Sequence, residues 1–286
     1  MTKSQNVLIT GVSTGIGYEL VKIFVEKGYN VFGSVRKQAD ADRLSGELGE
    51  HFHPMIFDLT DFEAIENAAK WLEGEIGSEG LGCLVNNAGI AVGGPFVDLK
   101  IEDFRQQFEV NVFGLIKVTQ AFLPLLGARE NHSTAPGKIM QISSVSGRMG
   151  MPFVSPYVGS KHAVEGITES LRKELLVFGI DVVLIEPGPI KTPIWKKSMD
   201  PLFDKFKNSL YLPIMKKSHE KFMGPSIENA LSAEKAAEII FKEFEKKRSS
   251  TRKVIIAQKF KNWTLPRLLP TRIVDKFLGK ALGLLK

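Results

Sequence analysis

The chain has 286 residues, 43% of them hydrophobic and 24% charged, with a single cysteine and a formal net charge of +6. That length and composition suit a soluble enzyme of one large or two small α/β domains and exclude a fibrous, low-complexity or disulfide-stapled protein. The charge excludes less than it suggests: residues 258–286 carry seven basic side chains and one acid, leaving 31 basic and 31 acidic residues in the rest. So local an excess predicts no nucleic-acid partner.

Six mostly polar residues precede the short apolar run Val7-Leu8-Ile9-Thr10, which reads as a strand rather than a signal peptide, and no later stretch holds eighteen uninterrupted apolar residues. With Cys83 alone, no internal disulfide can form, and a cytoplasmic location is expected. Strand patterns fall near 6–10, 30–35, 53–57, 81–86, 138–143, 180–186 and 252–257. Helical patterns fall near 16–27, 61–75, 101–127, 154–178 and 233–247. This alternation predicts an α/β, Rossmann-type, doubly wound fold: a seven-stranded parallel sheet with helices on both faces, in one domain over residues 1–257.

The first strand runs into Thr10-Gly11-Val12-Ser13-Thr14-Gly15-Ile16-Gly17, which opens the first helix. Alone, such glycines need mean no more than a tight turn. Between a strand and a helix at the start of a βαβ unit, they let the backbone approach a pyrophosphate at a helix N-terminus. The second strand ends at Val35 and is followed by Arg36, where an NAD site usually offers a carboxylate. A guanidinium there suits a 2′-phosphate, so NADP(H) is expected over NAD(H). Asp58, closing the third strand, is placed to accept from an adenine amino group.

Tyr157 and Lys161 sit four residues apart in a helical pattern, so they share one face. An ammonium beside a phenol favours phenolate and brings its pKa toward the working range. Ser144 ends the fifth strand thirteen residues earlier, at the sheet edge where ligands bind. His162 points about 100° away from Lys161 around the helix and reads as a packing or surface residue. No cluster of His, Cys and carboxylates has metal-ligand spacing, so no metal is expected.

Residues 192–226 form a long connection that reads as a substrate lid. With Met149, Met151 and Phe153 it supplies many apolar groups, among them Ile194, Trp195, Phe203, Phe206, Leu210, Tyr211, Leu212, Ile214, Met215 and Met223. These suit a bulky lipophilic substrate such as a steroid, a retinoid or a long-chain aldehyde, or they are ordinary core beneath a loop. The lid also carries eight lysines between 191 and 221, compatible with an acidic group on the substrate. In the tail, Ile273, Val274, Phe277, Leu278, Ala281, Leu282 and Leu285 follow one helix face and basic residues the other. Residues 271–286 are therefore expected to dock on the body, on a second subunit, or peripherally on a membrane.

Taken together, Thr10-Gly-x-x-x-Gly-x-Gly17, Asn86-Asn87-Ala88-Gly89, Asn111, Ser144, Tyr157-x-x-x-Lys161 and Pro187-Gly188 resemble the short-chain dehydrogenase/reductase family in order and spacing, over residues 6 to about 257. The stretches Tyr157–Gly166 and Ile185–Thr192 are most similar to its retinol and 17β-hydroxysteroid dehydrogenase branch. The resemblance implies Asn111, Ser144, Tyr157 and Lys161 as catalytic residues. Tyr157 would exchange the proton with the substrate oxygen, Ser144 would hydrogen-bond that oxygen, Lys161 would tune the tyrosine and bind the nicotinamide ribose, and Asn111 would hold a relaying water. It implies cofactor contacts by Gly11, Ser13, Gly15, Ile16, Gly17, Arg36, Asp58, Leu59, Asn87, Tyr157, Lys161, Pro187, Gly188, Ile190 and Thr192, with Thr192 fixing the carboxamide. It implies a small hydrophobic carbonyl or alcohol substrate and a homodimer or homotetramer. A cofactor-sensing protein without turnover and a membrane-surface binding protein are the rivals from other classes.

Overall fold

The protein is described by a computed structural model that covers residues 4–130, 132, 134–195 and 202–285. Lys196, Lys197 and Lys286 lie outside the described residues.

Strands β1 (Asn6–Ile9), β2 (Asn30–Val35), β3 (Phe52–Ile56), β4 (Cys83–Asn86), β5 (Lys138–Ile142), β6 (Asp181–Pro187) and, after two short strands, β9 (Arg252–Ile255) form one sheet in the order β3-β2-β1-β4-β5-β6-β9. Every neighbouring pair is parallel. The central strands read as apolar runs because helices cover both faces. One layer of core packs Val7, Ile9, Val31 and Ile185 against Phe24 of α1 (Gly15–Glu26) and Ile240 of the helix Ala233–Glu245. The other packs Leu8, Leu84 and Ile139 against Leu72 of α3 (Phe62–Ile76) and Phe122 of α5 (Leu115–Phe122). The order reverses between β1 and β4, so their C-terminal ends flank the crevice where an open α/β sheet binds ligands.

Three features depart from the sequence pattern. Helix α2 (Gln38–Leu48) occupies a stretch that showed no helical periodicity, because only Ala41 and Leu44 of its eleven residues are buried. The pattern at 101–127 resolves into α4 (Ile101–Phe108), a π turn (Glu109–Gly114), α5 and a 3₁₀ turn (Leu123–Leu126). Residues 101–126 contain a stretch long and apolar enough to cross a membrane by length and composition alone, but half of that stretch is buried inside the fold, as in a core helix. Helix α6 (Ser155–Glu174) tightens into a 3₁₀ turn that ends at Gly179, whose φ of 70° is left-handed.

Strands β7 (Ile190–Lys191) and β8 (Leu231–Ser232) form a second, two-stranded parallel ladder that holds together the two ends of the 192–226 connection. Between them lie the short helices Leu202–Lys205, Leu212–Ser218 and Gly224–Glu228, with a π turn at His219–Met223. The tail adds a π turn (Phe260–Thr264), Leu265–Leu268 and the helix Thr271–Leu282, which packs on Leu212–Ser218 and on the turn after it. The body does not cover the whole apolar face of that helix: Leu282 is buried, whereas Ile273 and Phe277 are exposed.

Candidate active site

The C-terminal sheet edge brings two groups of side chains to one crevice. The first surrounds the glycine loop. Gly11 and Gly15 have φ of 69° and 66°, conformations that side chains disfavour. The Gly11 amide donates to the Ser34 carbonyl at 3.1 Å and to its hydroxyl at 3.0 Å, which fixes the loop on β2. The Asn87 amide group donates to the carbonyls of Thr10 (2.9 Å) and Gly11 (3.0 Å), and the Thr10 hydroxyl accepts from the Asn87 and Ala88 amides, each at 3.0 Å. Asn87 therefore ties β4 to the loop with its side-chain amide. A β-carbon on Gly17 would stand 2.4 Å from the Gly11 oxygen and 2.5 Å from Asn87 Nδ2, so the turn has room for glycine only. The first turn of α1 contains no acid, and its N-cap, Thr14, makes no side-chain cap bond. The amides at this positive helix end face the crevice without a competing carboxylate, which fits a pyrophosphate.

The other residues expected to contact a cofactor are placed as follows. A β-carbon on Gly15 would lie 3.2 Å from the Thr192 methyl, so the residue after β7 closes over the loop. Pro187 ends β6, Gly188 donates to the Ile255 carbonyl at 2.8 Å, and Ile190 is buried. Leu59 is buried beneath Gly114, and Ile16 packs on the core. Arg36 projects into solvent and pairs with Asp58 at 3.7 Å. Burial raises the Asp58 pKa, but hydrogen bonds from Thr60 and the Arg36 charge outweigh it and hold the carboxyl below its usual range. Asp58 thus keeps Arg36 beside the loop. Arg43 of α2, which the sequence reading passed over, donates to the Ser13 carbonyl at 2.8 Å. Its position depends on a helix that the hydrophobic pattern did not reveal.

The second group is Ser144, Tyr157, Lys161 and Asn111. Ser144 follows β5 and caps the turn Val145–Gly147: its hydroxyl accepts from the Ser146 amide at 3.1 Å and donates to the Pro187 carbonyl at 3.3 Å. Tyr157 and Lys161 share one face of α6, with the ammonium 5.7 Å from the ring centroid. Burial holds the Tyr157 pKa above its ordinary value, and a hydrogen bond with Ser144 offsets only part of this, so in the ligand-free protein the phenol is not brought down as the spacing to Lys161 suggested. Lys161, only 6% exposed, donates to the Ile142 carbonyl at 2.8 Å, and burial lowers its pKa to about 8 despite the opposing charge of Glu165. Asn111 lies in the π turn, a form of irregularity that often marks functional sites. It accepts from the Ile90 amide (2.9 Å) and donates to the Ile90 carbonyl (3.0 Å) and to the Ser160 hydroxyl (3.4 Å). His162 is exposed and turned back to the Val158 carbonyl.

At the start of α6, a cavity of about 220 Å³ is lined by Pro95, Phe96, Val97, Met151, Pro152, Phe153, Ser155, Tyr211 and Leu284. Phe153 has φ of 67°, a strained value for a bulky side chain, and packs edge-on to Tyr211 at 5.9 Å. Within the 192–226 connection, Leu202, Phe206 and Met215 are buried with Leu99 and Phe153, Tyr211 lines the cavity, and Leu210 faces solvent at 93% exposure.

Residues 5–202 match the family model for short chain dehydrogenase. The chain is 41% identical over 279 residues to an NADPH-dependent 3-dehydrocapnine reductase of Ornithobacterium rhinotracheale, covering 96% of each chain. It is 36% identical over 206 residues to retinol dehydrogenase 7 of Rattus norvegicus, covering 72% of this chain and 62% of the rat protein. A short-chain dehydrogenase from Streptomyces avermitilis superposes with a TM-score of 0.75 at 25% identity, covering 98% of this chain and 97% of that one.

Proposed function

The chain belongs to the short chain dehydrogenase family, in its retinol-dehydrogenase-like branch, and on that premise we propose that it is an NADP(H)-dependent reductase of an apolar carbonyl compound, able to run in reverse on the alcohol. The observation that carries the reading is the convergence of Ser144, Tyr157 and Lys161 at the sheet edge beside a glycine loop that admits no β-carbon at Gly17. The loop would hold the pyrophosphate, Arg36 the 2′-phosphate, and Ile190 and Thr192 the nicotinamide end. When bound, NADP(H) supplies or accepts the hydride.

In the reductive direction Tyr157 gives its phenolic proton to the substrate oxygen, and Ser144 donates a hydrogen bond to that oxygen as negative charge develops. Lys161 stabilises the phenolate left behind and returns a proton to it, and Asn111 holds a water that leads to bulk solvent. The oxidative direction reverses each transfer. Residues 192–226 act as the lid, and the cavity at the start of α6 takes the apolar part of the substrate. The 3-dehydrocapnine named for the bacterial relative heads the compounds to test, followed by retinoids, steroids and long-chain aldehydes. The protein works as a homodimer or homotetramer in the cytoplasm; exposed Phe113, Leu176 and Val177, near α5 and α6, support a subunit contact there. Residues 271–286 add contact with a membrane surface.

Loss of nicotinamide absorbance across that panel tests the proposal. The wild type is expected to turn over at least one compound, and Tyr157→Phe to lose about 10²- to 10⁴-fold in rate while still binding NADPH. Turnover that survives in Tyr157→Phe would show the catalytic assignment to be wrong.

A further inference from the structure

Large apolar side chains stand in water along the tail: Phe260, Leu265, Leu268, Leu269, Ile273 and Phe277, with Phe277 71% exposed. So many large apolar side chains exposed along one segment point to an interaction site. On the helix Thr271–Leu282, residues Ile273, Phe277 and Lys280 fall at i, i+4 and i+7 on one stripe, and Arg272 and Lys276 fall on the adjacent one. Lys259, Lys261 and Arg267 precede this helix, and Asp275 is the one acid among residues 258–286. The Arg267 guanidinium lies 4.7 Å over the Trp263 ring, which holds that cation at the surface.

The tail also reaches the cavity at the start of α6. Leu284, just past the helix, lines the cavity together with Phe96 and Val97, which are 71% and 72% exposed. A second copy of the chain fits the face poorly. A two-fold contact would set Arg272, Lys276 and Lys280 against their own kind, with only Asp275 to offset them. An anionic lipid surface complements both the cations and the apolar stripe.

We propose that Phe96, Val97, Ile273, Phe277 and Leu284, flanked by Arg272, Lys276 and Lys280, form a docking face for an anionic bilayer, and that the cavity they rim takes its substrate directly from the lipid. The first half stands on the surface alone; the second rests on the apolar-substrate reading and deepens it.

The test is co-sedimentation of the full-length protein with vesicles of phosphatidylcholine, alone or with about one third phosphatidylglycerol. The wild type is expected in the pellet with the anionic vesicles, and Ile273→Asp/Phe277→Asp and Lys276→Glu/Lys280→Glu are each expected to lower that recovery by about tenfold or more. Both variants should bind NADPH as the wild type does. Each should reduce a water-soluble carbonyl at the wild-type rate and lose rate only on an apolar carbonyl presented in anionic vesicles. Wild type left in the supernatant, or variants that pellet equally, overturns the docking face. A dimer in light scattering that Ile273→Asp/Phe277→Asp dissolves overturns it too, by giving the face to a second copy. Intact docking with equal rates on vesicle-borne and detergent-dispersed substrate overturns delivery from lipid and leaves the catalytic assignment untouched.

Discussion

Lys161 shows what the site costs the fold. Its pKa falls to about 8 from 10.5 because burial penalises the ammonium. Between those values the unfolded chain binds more protons than the folded one, so stability rises with pH across that window, and the whole penalty applies below pH 8. That depression corresponds to a penalty on the order of 3 kcal/mol, partly offset by the hydrogen bond to Ile142. Lys161→Met is therefore expected to stabilise the ligand-free protein at pH 7 by roughly 1–3 kcal/mol while abolishing turnover, with the gain fading toward pH 10.5. Denaturant melts at pH 7 and pH 10 decide the matter, and a variant no more stable than wild type at pH 7 refutes it. At Arg36 the expectation concerns selectivity: Arg36→Asp should weaken NADPH far more than NADH, and an unchanged ratio of the two dissociation constants would count against a 2′-phosphate contact there. That Tyr157 and Lys161 share a helix face and that Ser144 stands at a strand end was legible, because both follow from short spacings along the chain. Arg43 was not, because its contact with Ser13 depends on how α2 folds back over the loop.

At the scale of elements, two glycines give opposite expectations. Gly17→Ala forces a β-carbon against the Gly11 carbonyl and Asn87, neither of which can yield without opening the loop, so it should cost about 1–3 kcal/mol and most of the NADPH affinity. Gly46 sits on the exposed side of α2 with nothing within 4 Å of a β-carbon, so Gly46→Ala should stabilise by about 0.5–1 kcal/mol and leave binding unchanged. Thermal melts paired with NADPH titration separate the two, and a Gly17→Ala protein that binds NADPH normally would contradict the cradle. The strands were legible because burial on both faces writes itself as apolar runs. Helix α2 was hidden because it buries only Ala41 and Leu44, and the π turn that carries Asn111 was hidden because it keeps the hydrophobic period of its flanking helices.

At the scale of the whole molecule, Arg252 on β9 joins the last strand to the active-site helix. It meets buried Glu186 of β6 at 2.7 Å and also pairs with Glu165 and Glu169 of α6. Removing it leaves buried Glu165 without its ion-pair partner and buried Glu186 with only Arg148 at 4.0 Å, so Arg252→Ala is expected to lose about 3 kcal/mol at neutral pH. Burial already raises the Glu165 pKa, and without Arg252 it rises further. The folded variant then holds protons that the unfolded chain releases, so its deficit should grow from pH 5 to pH 8; urea melts showing the reverse trend would sink this account. None of this network was read from the sequence, since its members lie up to 87 residues apart. That seven strands form one parallel sheet follows from the alternation of elements, but the β7–β8 ladder does not, because two-residue strands leave no periodicity. That ladder has an evolutionary consequence. With Ile190 opposite Leu231, the two ends of the segment meet in one fixed clasp, and lengthening such a loop adds only slowly to the entropy of closing it. The segment is in effect a removable cassette, so lids exchanged between relatives at these two positions should carry substrate preference with them while the nucleotide half is inherited unchanged.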